Sequence, residues 1–309
     1  MKISTQILFD RASDQMSLIQ NKLADSQAKL AQGKQLLKPS DSPDQAAVIQ
    51  RMKSVMGRQE SYKNSLNTLN SRLQNEDTTL KSATNLLVRA KEIAVQSAND
   101  TLAPVNRKAL ASELQGVRDQ LLSLANAKDN NGNFLFSGSR SDKPAFASSG
   151  PGQTPLYQGD QTRMTMMVGD QRTIPINRTG TDAFVSLTRV NELTDKKEGV
   201  SFFKVMDDLI AGINNSSQGS MQRGVFEMTA LLNGLTLAHA DIGTDMNVVE
   251  QQTSVVEDTI LNLKSNLSTV EDLDYAAAIT KMNQQMLSLE AAQSSFSKMS
   301  QLTLFNYLK

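Results

Sequence analysis

The sequence predicts a mainly helical protein with a β-rich insert. The expected architecture is an elongated rod of long antiparallel coiled-coil-like helices, with terminal helical arms paired at one end and a small β domain at the other. Three observations predict it. Apolar residues recur at alternating steps of three and four along several long segments, the middle of the chain alternates with a period of two, and both termini repeat the helical pattern.

The composition excludes several classes of function. The 309 residues include 32 basic and 32 acidic side chains, whereas a protein that holds nucleic acid by its phosphates normally has a basic surplus. There is no cysteine and only one histidine, which removes disulfides, thiolate metal sites and most histidine chemistry. Phosphate-binding, zinc-protease, serine-hydrolase and EF-hand signatures are absent from the sequence. We therefore expect no catalytic residue, no cofactor and no metal ligand.

The clearest helical pattern covers 221–270 and predicts one long helix of the rod, about 75 Å in length at about 1.5 Å per residue. His239 and Thr253 interrupt it, and we expect the histidine to be an ordinary hydrogen-bonded interface residue. Gly234 and Gly243 predict either a bend or a close helix contact, since each destabilises a helix by about 1 kcal/mol relative to Ala. The rod-seam positions are Met221, Val225, Leu232, Leu235, Ile242, Val249, Val256, Ile260, Leu263 and Leu267.

A second seam predicts a helix over 43–100, with Ser42 as the N-cap and Pro43 at the first helical position. A third helix is predicted over 104–128, after which turn residues at 129–133 reverse the chain. The predicted helices therefore form an antiparallel bundle. The second seam reads Val48, Met52, Val55, Gln59, Tyr62, Leu66, Leu69, Leu73, Glu76, Leu80, Ala83, Leu87, Ala90 and Ala94.

The middle of the chain, from about residue 134, is rich in Gly, Pro, Ser and Thr. Residues 164–168 alternate between apolar and polar, Gly169-Asp170 suits a turn, and 174–176 alternate back, which is typical of a β-hairpin. A short helix at 202–213 closes this insert.

Both termini carry amphipathic arms. The apolar area that one arm can bury does not balance the entropy lost on ordering it, so we expect the arms to be weakly ordered until neighbours cover them. Ordinary surface helices of a bundle are the alternative, and membrane-surface helices are less favoured because acidic residues dilute the lysines and Trp is absent. The seam of the N-terminal arm comprises Phe9, Met16, Ile19, Leu23, Leu30 and Leu37. The seam of the C-terminal arm comprises Tyr275, Ile279, Met282, Met286, Leu289, Phe296, Met299, Leu302 and Phe305.

These patterns divide the chain into five parts. They are an N-terminal assembly arm at 1–42, the first part of the rod at 43–133, the β-rich insert at 134–220, the returning rod helix at 221–270 and a C-terminal assembly arm at 271–309. The N-terminus leads into no apolar segment, and no run of 18 apolar residues occurs. We therefore expect neither a cleaved secretory signal nor a membrane span.

Three local motifs resemble the flagellin family of bacterial flagella. Leu30–Pro43 looks like the family's turn between arm and rod, and Asn131–Ser139 and Glu271–Ala276 fit the family as well. Within the family, the Lys-Pro-Ser-Asp-Ser-Pro form of the first motif is more similar to hook-associated members than to filament flagellins.

The resemblance implies a structural subunit at the junction between flagellar hook and filament, which templates flagellin assembly outside the cell and is exported without a cleaved signal. The implied partners are further copies of the chain in a ring, the neighbouring hook-associated junction protein, flagellin, and a cytosolic export chaperone on the C-terminal arm. Neither nucleic acid binding nor membrane insertion is implied. Two alternatives remain open at this point: a filament-forming flagellin, and an intracellular coiled-coil adaptor that uses the same heptads.

Overall fold

The fold was analysed in a computed structural model. The described backbone covers residues 2–148, 150, 153–190 and 197–305, and the described side chains cover 7, 9–148, 150, 153–190 and 197–298. Within these ranges the chain is mainly helical with short antiparallel strands, which confirms the predicted class of a helical protein with a small β region.

The helices predicted over 43–100, 104–128, 202–213 and 221–270 begin and end within a few residues of those positions, whereas the short helix at 180–183 was not predicted. The described helices are α1 (Lys2–Gln32), α2 (Pro43–Ser97), α3 (Pro104–Ala125), α4 (Gly180–Ala183), α5 (Phe202–Asn214), α6 (Gln218–Glu271) and α7 (Tyr275–Phe305). Pro43 and Pro104 each occupy the first position of a helix, where the missing N–H has no intrahelical partner to lose.

The described strands form three two-stranded antiparallel sheets. These pair β1 (Phe146–Ala147) with β2 (Leu156–Tyr157), β3 (Thr165–Met167) with β4 (Thr173–Pro175), and β5 (Leu187–Val190) with β6 (Lys197–Val200). The predicted hairpin is confirmed in β3 and β4, where Met166 lies opposite Ile174.

The chain divides into two compact units. We call residues 1–59 and 258–309 the terminal unit, and residues 60–257 the central unit. Helices α2 and α6 each contribute residues to both units.

The central unit has a continuous core. On α2 the buried residues follow the predicted seam from Leu66 to Ala94, and α3, α5 and α6 supply further buried residues. A cluster of aromatic rings closes the core between α5 and the β region, with ring centroids about 5–6 Å apart and mostly edge-to-face. Its members are Phe136, Phe146, Phe184, Phe202 and Phe203.

The β region lies along the sides of α2 and α6. Tyr62 on α2 donates a hydrogen bond to Asp170 at 3.1 Å, and Gln252 on α6 donates to the carbonyl oxygen of Val168 at 3.1 Å. Where α2 turns into α3, the side-chain amide of Gln218 donates to the carbonyl oxygen of Ala98 at 2.8 Å, so helical turns form this end of the central unit.

Candidate assembly surface

The two terminal helices pair with each other in the terminal unit. The rings of Phe9 and Phe296 lie 4.5 Å apart, and the Ser26 hydroxyl donates a hydrogen bond to Gln285 at 2.8 Å. Contacting residues have increasing numbers along α1 and decreasing numbers along α7, so the two helices run antiparallel.

A half-buried row of residues on each helix forms the contact. The predicted N-terminal seam supplies Met16, Ile19, Leu23 and Leu30 to this row, whereas Phe9 stays 43% exposed. On α7 the half-buried row consists of Ala278, Met282, Gln285, Leu289, Ala292 and Phe296. Periodicity of large apolar residues missed three of these positions because alanine is small and glutamine is polar.

Three further predicted residues of the C-terminal seam are largely exposed. Tyr275, Ile279 and Met286 are 53%, 45% and 43% exposed. Two further apolar side chains that the seams did not include, Leu18 on α1 and Leu287 on α7, are 55% and 68% exposed. Large apolar side chains on the outside of a paired helix mark surface that another protein can cover.

Helix α1 ends before the last predicted seam residue. Gly33 has a φ of +66°, a left-handed conformation that favours glycine and commonly terminates a helix. Leu37 therefore lies beyond the helix, where it is half-buried. At the other end of the chain, Met299, Leu302 and Phe305 lie on α7, but their side chains are outside the described ones.

Two of the sequence motifs meet in space just after α1. The backbone N–H of Gln35 donates to the carbonyl oxygen of Glu271 at 2.9 Å, and the N–H of Leu273 donates to the carbonyl oxygen of Gly33 at 3.0 Å. The phenol oxygen of Tyr275 lies 2.6 Å from the position that a Cβ on Gly33 would occupy, closer than van der Waals contact. The motif Leu30–Pro43 and the motif Glu271–Ala276 therefore form one structure.

A buried carboxylate anchors this junction. Glu271 forms ion pairs with Lys34 at 2.7 Å and with Lys53 on α2 at 2.9 Å. The hydrogen bonds from the two ammonium groups hold the pKa of the Glu271 carboxyl below its ordinary value.

The terminal unit is thinly packed. Among its described side chains, only Ile260 and Glu271 are buried. An open groove of about 810 Å³ runs between α1 and α7, lined mainly by polar and small side chains such as Lys22, Gln284 and Ser288. The apolar residues of α1 and α7 therefore lie partly or wholly uncovered.

The rod-seam positions on α6 are buried to different degrees. The heptad pattern selected Leu232 and His239, but the fully buried residues are their neighbours Leu231 and Ala238. The two sets differ because α6 packs against several neighbours, so its buried face is broader than a two-helix seam. The buried rod-seam positions are Met221, Leu235, Ile242, Val249, Val256 and Ile260, and the half-buried ones are Val225, Leu232, Leu263 and Leu267.

The single histidine makes an interhelical contact. His239 lies 2.7 Å from the carboxylate of Asp77 on α2, in a half-buried position. Gly234 permits close approach of Val185, whose side chain a Cβ would overlap, whereas a Cβ on Gly243 would meet only open space. The close contact predicted for Gly234 is therefore with the segment before β5 and not with another helix.

The described residues contain neither a cluster that could bind a metal ion nor a helix that could span a membrane. No group of three or more His, Cys, Asp or Glu side chains in these ranges is arranged to hold a metal ion. None of the described helices combines the length and the apolar character that crossing a bilayer requires.

The profile "Bacterial flagellin N-terminal helical region" matches residues 3–141, and "Bacterial flagellin C-terminal helical region" matches residues 227–308. The chain belongs to the bacterial flagellin family. The pairing of α1 with α7 brings the two matched flagellin regions together, and the motif junction at Gly33 and Glu271 joins one to the other.

Flagellin-family relatives match along almost the whole chain. Flagellar hook-associated protein 3 of Salmonella typhimurium is 26% identical over 99% of this chain and 99% of its own length. A flagellin of Listeria monocytogenes is 23% identical over 97% of this chain and 95% of its own. The solved flagellar hook associated protein-3 of Legionella pneumophila has the same fold, with a TM-score of 0.64 and 18% identity over 72% of this chain and 98% of that one.

Proposed function

We propose that this chain is a structural subunit of the bacterial flagellum that forms the junction between hook and filament and templates flagellin assembly. The observation that carries the proposal is the uncovered apolar surface of α1 and α7 in a unit with almost no buried side chains among those described. Such a surface suits a subunit whose core is completed by neighbouring copies. The full-length similarity to a hook-associated protein supports the junction in particular.

The proposed partners are further copies of this chain in a ring, the neighbouring hook-associated junction protein and flagellin. The last proposed partner is a cytosolic chaperone that covers the C-terminal arm during export. The protein acts outside the cell, after export without a cleaved signal, and it has no enzymatic role. The five-part division, with assembly arms at 1–42 and 271–309, belongs to the same proposal.

Within this proposal the apolar residues of the arms serve two purposes. Half-buried residues such as Leu23, Met282 and Leu289 hold α1 and α7 together, and the exposed residues Ile279 and Met286 contact neighbouring subunits. The sequence motifs give the arms their orientation through the junction at Gly33 and Glu271.

One experiment separates the junction from the second candidate, a filament-forming flagellin, which the similarity to the Listeria flagellin favours. The gene is deleted, and the cells are imaged by electron microscopy while flagellin in the medium is measured. We expect hooks without filaments and flagellin released into the medium. Cells that lack filaments and release no flagellin would identify the chain as the filament protein instead.

A point substitution tests the surface itself. Leu287→Asp places a charge on the exposed apolar side of α7, and Ser288→Asp places the same charge on the polar groove one residue away. We expect Leu287→Asp to abolish filament growth in a complemented deletion strain while the purified chain unfolds as before. Ser288→Asp should support filaments. Equal behaviour of the two variants would contradict the assignment of this face to assembly.

A further inference from the structure

A carboxyl group is buried where the β3–β4 hairpin meets the long helices. Glu76 on α2 is only 1% exposed, although it occupies a position of the apolar seam. The Arg72 guanidinium donates to it at 3.3 Å and also donates to the carbonyl oxygen of Leu135 at 2.8 Å. A buried carboxylate destabilises the fold unless the charges around it balance its own.

Charged groups from several segments line the cavity beside this carboxyl or pair with its partner Arg72. Arg178, just after β4, pairs with Asp245 on α6 at 2.6 Å and with Asp241 at 3.6 Å. Asp129 pairs with Arg72 at 3.6 Å. Arg163, which precedes β3, lines the same small cavity and pairs with Asp182 at 2.9 Å.

Burial of Glu76 favours the protonated acid, and the charges around it act in both directions. Arg72 and Arg178 favour the ionised form, whereas Asp245 favours the protonated one. Burial raises the pKa of the Glu76 carboxyl to about 7, although Arg72 and Arg178 lower it.

The end of the hairpin lines a cavity together with this carboxyl, and the hairpin has little of its own to stabilise it. Its strands have three residues each, and an isolated two-stranded hairpin is marginally stable at best in water. A cavity of about 190 Å³ separates Glu76 from the hairpin side, where Pro175, Ile176, Asn177 and Arg178 line it. Detachment of the hairpin would therefore expose Glu76 to water.

We propose that Glu76 is a proton-linked latch for the β3–β4 hairpin. The hairpin is held most firmly on α2 and α6 while Glu76 carries its proton, and it opens more often when the proton is lost. This inference concerns the central unit alone and does not depend on the flagellar role.

The difference in proton affinity of Glu76 between the docked and the open hairpin determines the direction and size of the pH dependence of opening. The docked form binds the proton more tightly than the open form, in which the carboxyl has its ordinary pKa of 4.5. The opening constant therefore rises with pH above 4.5 and levels off above about 7. Between pH 6 and pH 8 it should increase about tenfold.

Hydrogen exchange of the full chain, followed by mass spectrometry from pH 6 to pH 8, tests the latch. Exchange is corrected for intrinsic pH dependence, and opening of 164–176 is compared with opening of the core helix segment 110–121. We expect the tenfold rise in the hairpin of the wild type and no such rise in Glu76→Gln. The variant His239→Gln, which removes the single histidine of the chain, should keep the rise.

Two results would overturn the proposal. If the opening of the hairpin in the wild type did not change with pH relative to that of 110–121, the proposal would be overturned without any variant. The same rise in Glu76→Gln as in the wild type would assign the effect to another group, and its loss in His239→Gln would identify that group as His239.

Discussion

The central and terminal units share the same two long helices but bury them very differently. On α2, the seam residues Leu66, Leu80 and Leu87 of the central unit are fully buried, whereas Val48, a seam residue of the terminal unit, is 38% exposed. The seven-residue pattern is equally regular in both units. The pattern shows which face of a helix is apolar, but it does not show whether other residues of the same chain pack against that face.

The two units bury their seams to different degrees because different numbers of elements pack against them. In the central unit, α3, α5 and the β region join α2 and α6, so several layers of side chains enclose each seam. In the terminal unit, α1 and α7 each have 31 residues but bury their apolar sides only partly. Most helical stability in proteins comes from packing an amphipathic face, so the terminal unit is expected to be the less stable one.

The largest predicted difference concerns equivalent leucines. Leu80→Ala in the central unit creates a cavity and should lower the free energy of unfolding by about 2–5 kcal/mol. Leu23→Ala in the half-buried seam of α1 should lower it by less than about 1 kcal/mol in the isolated chain. Urea unfolding followed by circular dichroism measures both, and similar losses would show that the terminal unit is packed as well as the central one.

A smaller effect is predicted for two helical glycines. Gly234→Ala in the central unit forces a Cβ against the stiff side chain of Val185 and should destabilise by about 1–3 kcal/mol. Gly57→Ala in the terminal unit meets no atom and should stabilise α2 by about 0.5–1 kcal/mol. Thermal unfolding of the two variants checks the signs. A stabilising Gly234→Ala would refute the close packing of the central unit at this point.

The last predicted effect concerns the opposite pH dependence of two buried carboxyls. The pKa of Glu271 is lowered, so its contribution to the terminal unit is present above pH 4.5 and is lost as the pH falls through its folded pKa. The pKa of Glu76 is raised, so stability of the central unit falls as the pH rises from 4.5 to about 7.

The variant Glu271→Gln isolates the first of these effects. Its partners Lys34 and Lys53 are substantially exposed, so each ion pair should contribute less than about 1 kcal/mol. Amide exchange of α1 in the wild type should accelerate below pH 4.5 after correction for intrinsic rates, and the variant should lack this response. An identical acid response in the variant would show that Glu271 does not anchor the junction.

Local features of the fold were predictable from the sequence because their signals are local. Proline at positions 43 and 104, the period of the seams and the alternation around Gly169 are each contained within a few neighbouring residues. Helices α2, α3, α5 and α6 and the β3–β4 hairpin were therefore predicted within a few residues of their observed limits.

Features that depend on distant partners were not predictable. The β region attaches to the long helices through single polar contacts such as Tyr62 with Asp170, which leave no periodic signal. The meeting of Gly33 with Glu271 joins residues more than two hundred positions apart. On α7, the inner row contains Ala278 and Gln285, so hydrophobicity alone selected a face that is partly the outer one.

Limited proteolysis of the purified monomer tests the contrast between the two units most directly. Brief digestion with trypsin, followed by mass spectrometry, should remove the segments outside residues 60–257 and leave a resistant fragment bounded near Arg58 and Lys264. That result would support arms that become ordered when neighbouring subunits cover them. Survival of the full-length chain would show that α1 and α7 are already stably packed in the monomer and would contradict the account.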